Sequence, residues 1–461
     1  MTVGPPAVRH PPDVPQRVPP RLALAALLLA GTVIAWLARR TAAPGGILER
    51  RYALLAEIGA WWLVALLACL LVRALPRRTA VVAVLLVGAV VRLAAVAEKA
   101  PMSDDLYRYA WDGVVQLEGI DPYRYPPSAD ELRHLRTEPG LDWLWPPELA
   151  DSSPESLINR ITVPTLYPPV GEAWFALEHL VVPLEARDRG YEAVGFGLDL
   201  AVLAALLALL RARGRDPRWI AVYALAPLPA LEAVQNAHVD ALAVLAVLGA
   251  LAVAARRPAL ASGLLAAAAL IKVYPGLLLV LLLRRRGSRV RVVAVAAGAA
   301  VLAYLPHVLA VGIGVLGYLP GYLGEERYDE GGRYLLVGLT GLTGAPATVA
   351  VVGALVALAG WLLRADLALP EAATRLLVGV FLLVTPVQPW YALLLLAVAV
   401  VAGAWWAVPV AAAPYPLFFA TILDGPAVLA GRVSYGLAAL GVLGAALHAR
   451  RRRGQPAARP G

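Results

Sequence analysis

Two adjacent carboxylates, Asp104 and Asp105, directly follow an apolar run and open the longest polar segment of the chain. Two acidic side chains at the mouth of a membrane helix are costly to desolvate, so their position needs an explanation. If residues 104–118 form a helix, Asp105, Tyr109 and Asp112 share one face, at positions i, i+4 and i+7. A carboxylate placed there could take a proton from a hydroxyl group as a general base.

A purely structural interpretation of the acidic pair is also open. Acidic residues in the first turn of a helix complement the helix dipole, and Arg108 could pair with them. We favour the functional interpretation because the pair abuts an apolar span and because an aromatic-rich stretch follows, as is typical of a membrane interface. Its aromatic residues are Trp111, Tyr123, Tyr125, Trp143 and Trp145.

Two further polar elements interrupt the apolar sequence. The sextet 235–240 separates two apolar runs and is either a solvated turn or part of a site in which Asp240 orients a substrate or His238. A metal-binding role for His238 is weakly supported, because no second histidine lies at i+3 or i+4. Lys272, one of two lysines, is flanked by apolar residues. Its ammonium group either snorkels to the interface or contacts a phosphate group.

The composition indicates an all-α polytopic membrane protein. Of the 461 residues, 60% are hydrophobic, against about 45–50% in soluble proteins. Apolar runs of 17 or more residues recur, without the alternation of a membrane β-barrel. The net charge of +9 lies in short loops between these runs, which indicates topology signals and anionic lipid headgroups rather than nucleic acid. The single cysteine excludes a disulfide framework, and no phosphate-binding P-loop, GxSxG or HExxH motif is present.

The apolar runs predict about 12–14 transmembrane helices and four regions. We expect a disordered cytoplasmic tail over 1–20, N-terminal helices over 21–78, a catalytic membrane module over 79–425, and a last helix with a basic tail over 426–461. The candidate spans are 21–38, 52–72, 79–97, 191–211, 218–233, 238–255, 258–271, 273–284, 290–309, 341–363, 371–387, 389–402, 404–421 and 427–448.

The arginine-rich loops predict which ends of the helices face the cytoplasm. Loops near 73–78, 211–218, 256–257, 284–289, 364–375 and 450–453 fall on one side if the segment 168–184 lies along the interface and does not cross. The arginines of 39–51 then violate the rule. This topology brings the segment 98–190, the turn 235–240, Lys272 and the loop 310–340 with Gln388 to the outer face. The loop 310–340, which carries Arg333, is either a lid or a plain solvated loop.

Three ordered motifs resemble the first outer loop of GT-C-fold glycosyltransferases. They are Asp105-Leu106-x-x-Tyr109, Gly119-Ile120-Asp121-Pro122-Tyr123, and Pro164-Thr165-Leu166-Tyr167-Pro168-Pro169. The chain is most similar to polyprenol-phosphate-mannose-dependent mannosyltransferases and their glycosyltransferase family 87 relatives, over about residues 79–400. The resemblance implies a GT-C-type bundle with juxtamembrane helices on the outer face of a bacterial inner membrane.

The resemblance also implies roles for individual residues. By the aspartate-to-tyrosine spacing, Asp105 matches the family's catalytic base better than Asp104 does. Lys272, with Arg333 as a second candidate, would stabilise a leaving phosphate. The stretch 385–391 resembles the family's His-Pro-Trp-Tyr element, with Gln388 in place of the histidine. Candidate substrate contacts are Tyr109, Asp112, Tyr167, His238, Asp240, Lys272, Arg333, Gln388, Trp390 and Tyr391. Trp390 and Tyr391 could stack on a sugar or simply form an interfacial belt.

The implied activity is inverting transfer of a sugar, with mannose expected, from a polyprenyl-phosphate donor to a glycan or glycolipid acceptor. No cofactor is assigned, and a role for a divalent metal is left open. Two alternatives remain: a transporter or flippase of a lipid-linked sugar, or an accessory membrane protein with a degenerate site, for which Gln388 is the main support.

Overall fold

The computed structural model describes residues 18–43, 46–97, 102–149, 156–328 and 331–454. Helices joined by short loops and turns make up this part of the chain, which contains no strand, so the predicted all-α class is confirmed. Most of the predicted tail 1–20, together with Lys99, Asp329 and Glu330, lies outside the described residues.

Nineteen α-helices are present in the described part of the chain. The first ten are α1 (Pro20–Thr41), α2 (Gly46–Val72), α3 (Arg77–Ala95), α4 (Asp105–Leu117), α5 (Arg133–Arg136), α6 (Pro169–Val181), α7 (Arg187–Ala212), α8 (Ile220–Ala224), α9 (Asp240–Val253) and α10 (Pro258–Ile271). The others are α11 (Leu279–Leu282), α12 (Arg289–Val311), α13 (Leu319–Glu325), α14 (Gly344–Arg364), α15 (Leu369–Val384), α16 (Ala392–Ala402), α17 (Val408–Ala412), α18 (Pro414–Ile422) and α19 (Ala427–Gly454).

Fewer helices are long and apolar enough to cross a membrane than the 12–14 that the apolar runs predict. Eight meet this description among the described residues, or nine if a π-helical segment, Pro229–Gln235, and α9 form one span bent by 113°. The eight are Pro20–Thr41, Arg50–Val72, Arg77–Ala95, Leu184–Ala212, Arg286–Glu325, Gly344–Arg364, Trp405–Ile422 and Ala427–Arg451.

The difference arises because a short apolar run looks the same whether lipid or protein surrounds it. α16 is only 11 residues long, and all of its residues except the last are buried by neighbouring helices. The run 273–284 likewise divides into a 3₁₀ segment, Tyr274–Leu278, and the four-residue α11. These interior segments position polar residues at their ends, whereas α1, α2 and α19 expose leucine faces, as expected for helices that contact lipid.

The segment after α3 is built on two short helices, α4 and α6, which pack closely against each other. A Cβ atom at Gly113 would lie 2.5 Å from the carbonyl oxygen of Phe175, so only glycine permits this approach. At 13 residues, α6 is about 20 Å long and is not among the helices that could span a membrane. It exposes Leu177, Leu180 and Val181 on one side, which agrees with the predicted interfacial helix.

One fully buried ion pair joins two membrane helices. The side chains of Arg92 in α3 and Asp199 in α7 are both 0% exposed, and Arg92 Nε donates to Asp199 Oδ2. Tyr223 donates to the other carboxylate oxygen at 3.0 Å, and Arg92 Nη1 donates to the carbonyl oxygens of Gly88 and Ala224. We call these three side chains the Arg92–Asp199 cluster. Because it links α3, α7 and α8, it holds the bundle together.

Candidate active site

A cavity of about 1140 Å³ opens where α4, the loop after residue 156, and the segments around Lys272 and 387–391 meet. Both members of the acidic pair line it. The predicted site residues along its wall are Asp104, Asp105, Tyr167, Lys272, Gln388, Trp390 and Tyr391. The predicted outer-face segments therefore meet at one cavity, although their chemical roles stay a prediction.

Asp105 is the first residue of α4 and is a buried carboxylate on the cavity wall. Its Oδ2 lies 3.4 Å from the Tyr109 hydroxyl and 3.6 Å from His238 Nδ1. Burial raises the pKa of Asp105, but His238, Lys272 and Arg160 lower it by more, so that the pKa lies below the ordinary aspartate value. Asp105 is therefore ionised at neutral pH and able to accept a proton.

The two carboxylates share one amide donor, which the sequence analysis missed. Asn159 Nδ2 donates to Asp105 Oδ1 at 2.8 Å and to Asp104 Oδ1 at 3.0 Å. Burial and the adjacent charge of Asp105 raise the pKa of Asp104, and Asn159 partly offsets this shift. A single asparagine in a loop has no sequence signature, and only the fold brings it to residues more than 50 positions away.

The turn 235–240 is part of the site's supporting layer and is not a solvated loop. His238 and Asp240 are both buried, and the His238 ring stacks on Trp390 with centroids 4.0 Å apart. His238 Nε2 lies 3.6 Å from Glu232 Oε2, and Glu232 also accepts a hydrogen bond from Tyr415 at 2.8 Å. His238 therefore lies between the Asp105 carboxylate and the buried Glu232, beneath the cavity wall.

The backbone of this turn is tightly constrained. Ala237 has a φ of 46°, in the left-handed region that non-glycine residues rarely adopt. A Cβ atom at Gly195 of α7 would lie 2.4 Å from the carbonyl oxygen of Ala233 and 3.3 Å from Ala237 Cα. The close contact with α7 thus fixes a strained conformation beside His238, which is a common feature of functional sites.

Lys272 is largely buried, and its ammonium group does not reach into open solvent. Its Nζ is 3.3 Å from Asp240 Oδ2 and lies 4.8 Å from the Tyr167 ring centroid and 5.7 Å from that of Tyr391. The side chain is 9% exposed and lines the cavity. This arrangement holds a cation on the cavity wall between aromatic faces, and it argues against simple snorkelling.

Gln388 lines the cavity and is held by an acidic residue from the loop 310–340. Its Nε2 donates to Glu326 Oε1 at 2.6 Å, and Arg333 Nη2 bonds the other carboxylate oxygen at 2.7 Å. Gln388 Oε1 and Trp390 Nε1 are buried and have no hydrogen-bond partner among the described residues. An unpaired acceptor and an unpaired donor beside a cavity are suited to hydroxyl groups of a ligand. Arg333 lies behind Glu326 and is not on the cavity wall.

Two of the predicted contacts on α4 lie below the cavity wall. Tyr109 is buried and stacks on Phe175 at 4.3 Å. Asp112 accepts a hydrogen bond from Arg108 Nε at 2.9 Å, so Arg108 pairs with Asp112 and not, as the structural interpretation expected, with the acidic pair. Burial, against the attraction of Arg108, raises the pKa of Asp112, and burial together with Asp112 raises the pKa of Glu172. This pair supports α4 and α6 and does not line the cavity.

Arg160 is a second cation on the cavity wall, and the sequence analysis did not select it. Its Nε bonds Glu325 Oε2 at 3.0 Å, and its guanidinium lies 5.7 Å from the Tyr322 ring centroid. Its φ of 49° is again in the left-handed region. With 39 arginines among 461 residues, composition could not single out this one. No group of three or more His, Cys, Asp or Glu side chains able to hold a metal ion occurs within the described ranges.

Comparison with known families supports the resemblance carried by the loop motifs. The model of Glycosyltransferase family 87 matches residues 166–386. The match includes Tyr167, the turn 235–240 and Lys272, whereas Asp104 and Asp105 precede it and Gln388 follows it. No curated protein and no solved structure matches the chain.

Proposed function

We propose that this chain, a multi-pass membrane glycosyltransferase by its family 87 match over residues 166–386, transfers a sugar from a polyprenyl-phosphate donor to a glycan or glycolipid hydroxyl. The observation that carries the proposal is the cavity itself. An ionised carboxylate, Asp105, and two cations, Lys272 and Arg160, line the same cavity, and aromatic rings line it as well. A base for an acceptor and countercharges for a phosphate are the two requirements of this reaction.

In the proposed reaction, Asp105 Oδ2 accepts the proton of the acceptor hydroxyl as its oxygen attacks the anomeric carbon. The bond from that carbon to the donor phosphate breaks on the opposite side, and the phosphate oxygen takes the electron pair, so the configuration inverts. Tyr109 and His238, at 3.4 and 3.6 Å from Asp105 Oδ2, orient the carboxylate. Lipid phosphate is already a good leaving group, so no acid catalyst is required.

Lys272 and Arg160 would stabilise the charge that develops on the leaving phosphate. Both cations have a carboxylate partner. Lys272 is the better placed, because its side chain is 9% exposed and its charge is less screened by solvent than that of Arg160, which is 36% exposed. Arg160 replaces Arg333, the second cation suggested by the family resemblance, because Arg160 lines the cavity and Arg333 does not. Gln388 Oε1 and Trp390 Nε1 would bond sugar hydroxyls.

The outer membrane face, a bacterial inner membrane and mannose as the sugar are part of the same proposal. The basic loops at the other ends of the helices support the orientation. The three loop motifs support mannose as the sugar and polyprenyl phosphate as its carrier. The aromatic rings of Tyr167, Trp390 and Tyr391 line the cavity and can stack on any sugar ring, so they do not select mannose.

A transfer assay with matched variants tests the proposal. Membranes containing the wild-type protein, Asp105→Asn or Asp104→Asn would receive labelled polyprenyl-phosphate mannose and candidate acceptors. We expect wild-type transfer, a decrease of about 10²–10⁴-fold for Asp105→Asn, and a much smaller decrease for Asp104→Asn. Donor binding to the purified proteins should be similar in all three.

The possible contrary results are distinct. An active Asp105→Asn enzyme would refute the assignment of Asp105 as the base. Activity lost only in Asp104→Asn would instead assign the base role to Asp104. Transfer of another sugar but not mannose would correct the donor. Reconstituted protein that moves the lipid-linked sugar across a bilayer without forming a glycosidic bond would favour the transporter alternative.

A further inference from the structure

A second cavity, of about 590 Å³, lies at the opposite end of the helices that build the candidate active site. Three helices connect the two cavities. α9 runs from Asp240 to this cavity at Leu251, α10 begins here at Pro258 and ends beside Lys272, and α15 begins here at Leu369 and ends before Gln388. α15 has 16 residues, so the two cavities are separated by about 24 Å.

Four arginines and one carboxylate line this second cavity, which we call the basic pocket. The arginines are Arg213, Arg284, Arg285 and Arg364, and the carboxylate is Asp366. None of the four arginines forms an ion pair with a carboxylate anywhere in the described chain. The positive charge around the pocket therefore exceeds the negative charge of Asp366, and no carboxylate of the described residues pairs with it.

The arginines use only part of their hydrogen-bonding capacity on the protein. Arg213 Nη2 donates to the Leu251 carbonyl at 3.0 Å, and Arg285 Nη1 donates to the Ala255 carbonyl at 2.7 Å. Arg284 bonds the carbonyls of Leu367 and Ala365 and so ties the loop after α14 to the pocket. A guanidinium group has five N–H donors, so contacts at helix ends hold the arginines in place and leave donors for a ligand.

The interior of the basic pocket is apolar. Leu281, Leu282, Leu363 and Leu367 line it between the arginines. Four of the pocket's leucines, namely Leu251, Leu281, Leu282 and Leu369, also line an adjoining void of about 10 Å³, so the apolar side of the pocket is closely packed. A charged rim over an apolar interior matches a molecule with an anionic head and a hydrocarbon tail. Burial and the neighbouring Arg215 lower the pKa of Arg213, so an anion there would relieve an unfavourable environment.

We propose that the basic pocket binds a phosphate group, at a site separate from the candidate active site and on the opposite membrane face. The phosphate can belong to the headgroup of an anionic phospholipid or to a soluble phosphate compound. The leucines that line the pocket favour the phospholipid, with its headgroup at Arg213, Arg285 and Arg364 and the first part of an acyl chain against those leucines. Arginine forks bind phosphate in two-point contacts.

The test uses the purified full-length protein in detergent micelles, with lipid adducts measured by native mass spectrometry. The probes are phosphatidylglycerol, phosphatidylcholine with the same acyl chains, and inorganic phosphate. The variant Arg213→Gln/Arg285→Gln removes two pocket arginines. The control Arg211→Gln/Arg286→Gln removes the same charge from two exposed arginines that are close to the first two in sequence and do not line the pocket.

We expect phosphatidylglycerol to bind the wild-type and control proteins and to bind the pocket variant about tenfold more weakly or worse. Phosphatidylcholine should bind all three equally weakly. A different result would support the site but assign it to a soluble ligand. In that case inorganic phosphate stabilises the wild type but not the pocket variant, and the protein does not prefer phosphatidylglycerol over phosphatidylcholine. Equal losses in the pocket and control variants, or no preference for either anion, would refute the site.

A second variant keeps the test valid if Arg213→Gln/Arg285→Gln does not fold. Arg364 is exposed, and its Nη1 bonds only the Gly360 carbonyl of its own helix at 2.8 Å. Arg364→Gln should therefore fold normally and weaken phosphatidylglycerol binding about threefold to fivefold. Unchanged binding in this variant would exclude Arg364 from the site and contradict the proposed headgroup position.

Discussion

The candidate active site and the Arg92–Asp199 cluster both bury charge inside the helix bundle, but they differ in how that charge is paired. In the cluster, both carboxylate oxygens of Asp199 accept hydrogen bonds, and the side chains are completely enclosed. In the site, Asp105 faces a cavity of about 1140 Å³, and its Oδ2 lies 3.4 Å from the Tyr109 hydroxyl and 3.6 Å from His238 Nδ1. The buried acceptor of Gln388 has no partner there at all among the described residues.

This difference distinguishes structural from functional charge in a membrane protein. An enclosed pair is closed to ligands, and removing one partner leaves an uncompensated buried charge, so it fixes the helices that carry it relative to one another. A carboxylate that faces a cavity, and whose Oδ2 lies 3.4 Å from Tyr109 and 3.6 Å from His238, retains capacity for a substrate at that oxygen. Substitutions in the two regions should therefore separate stability from turnover.

The largest effect on stability is expected for Asp199→Ala. It leaves the enclosed Arg92 guanidinium without its counterion, which typically costs about 3–5 kcal/mol. Thermal unfolding in detergent should show a much lower transition temperature, while the protein that remains folded keeps its kcat. Asp105→Asn should give the reverse, with near-normal unfolding and lost turnover. A stable Asp199→Ala protein would contradict the structural role of the cluster.

The second largest effect is expected for Lys272→Gln, which removes a cation from the cavity wall. We expect kcat/KM to fall by about 10²-fold, because charge on the leaving phosphate loses its closest partner. Lys272→Arg retains the charge and should recover part of the loss. Lys272→Gln also leaves Asp240 unpaired, so thermal unfolding must be measured alongside to separate lost stability from lost catalysis.

The pH profile of activity distinguishes an electrostatic role of Lys272 from a purely structural one, because loss of a structural contact alone would not shift the profile. Burial raises the pKa of Asp105, but the nearby positive groups lower it further, and Lys272 is one of them. Wild-type activity that depends on ionised Asp105 should therefore be complete above the ordinary aspartate pKa of about 3.9 and fall only below it. Without Lys272, the acid limb should move to higher pH. An unmoved acid limb would contradict coupling between these residues.

The sequence could predict these two regions to different extents. Asp104, Asp105 and Lys272 are detectable because charged residues beside apolar runs are costly and need a reason. The same argument applies to Arg92 and Asp199, which lie inside separate predicted spans, 79–97 and 191–211. Opposite charges inside two spans are a signal for a buried pair, and the sequence analysis did not use it.

Other features could not be predicted because they depend on how distant segments pack. Asn159 and Arg160 are ordinary loop residues until the fold brings them to α4. Asp112 lies on the predicted face with Asp105, but Arg108, one turn earlier on the same helix, pairs with it. The number of spans was overestimated because helices such as α16 are apolar for burial in protein, which hydropathy cannot distinguish from burial in lipid.

A smaller effect is expected for Asn159→Ala. Asn159 donates to both carboxylates and reduces the repulsion between them, so its loss should lower kcat about tenfold and leave the donor KM almost unchanged. The pKa of Asp104, already raised by burial and by Asp105, should rise further. In the double variant Asp104→Asn/Asn159→Ala, the loss of Asn159 should reduce kcat by less than in the single variant, because the two carboxylates no longer repel each other. Strictly additive effects would show that Asn159 acts independently of the pair.

The smallest effect is expected for Gln388→Ala, which removes a side chain of the cavity wall whose buried acceptor has no partner in the described chain. We expect the KM for substrate to rise about threefold, with kcat nearly unchanged, as for one neutral hydrogen bond. Arg333→Gln is the matched control, because it removes the other partner of Glu326 but leaves the cavity wall intact. It should lower the unfolding temperature and leave KM unchanged. If both variants raise KM equally, Gln388 acts by holding Glu326, and its free oxygen does not bind substrate.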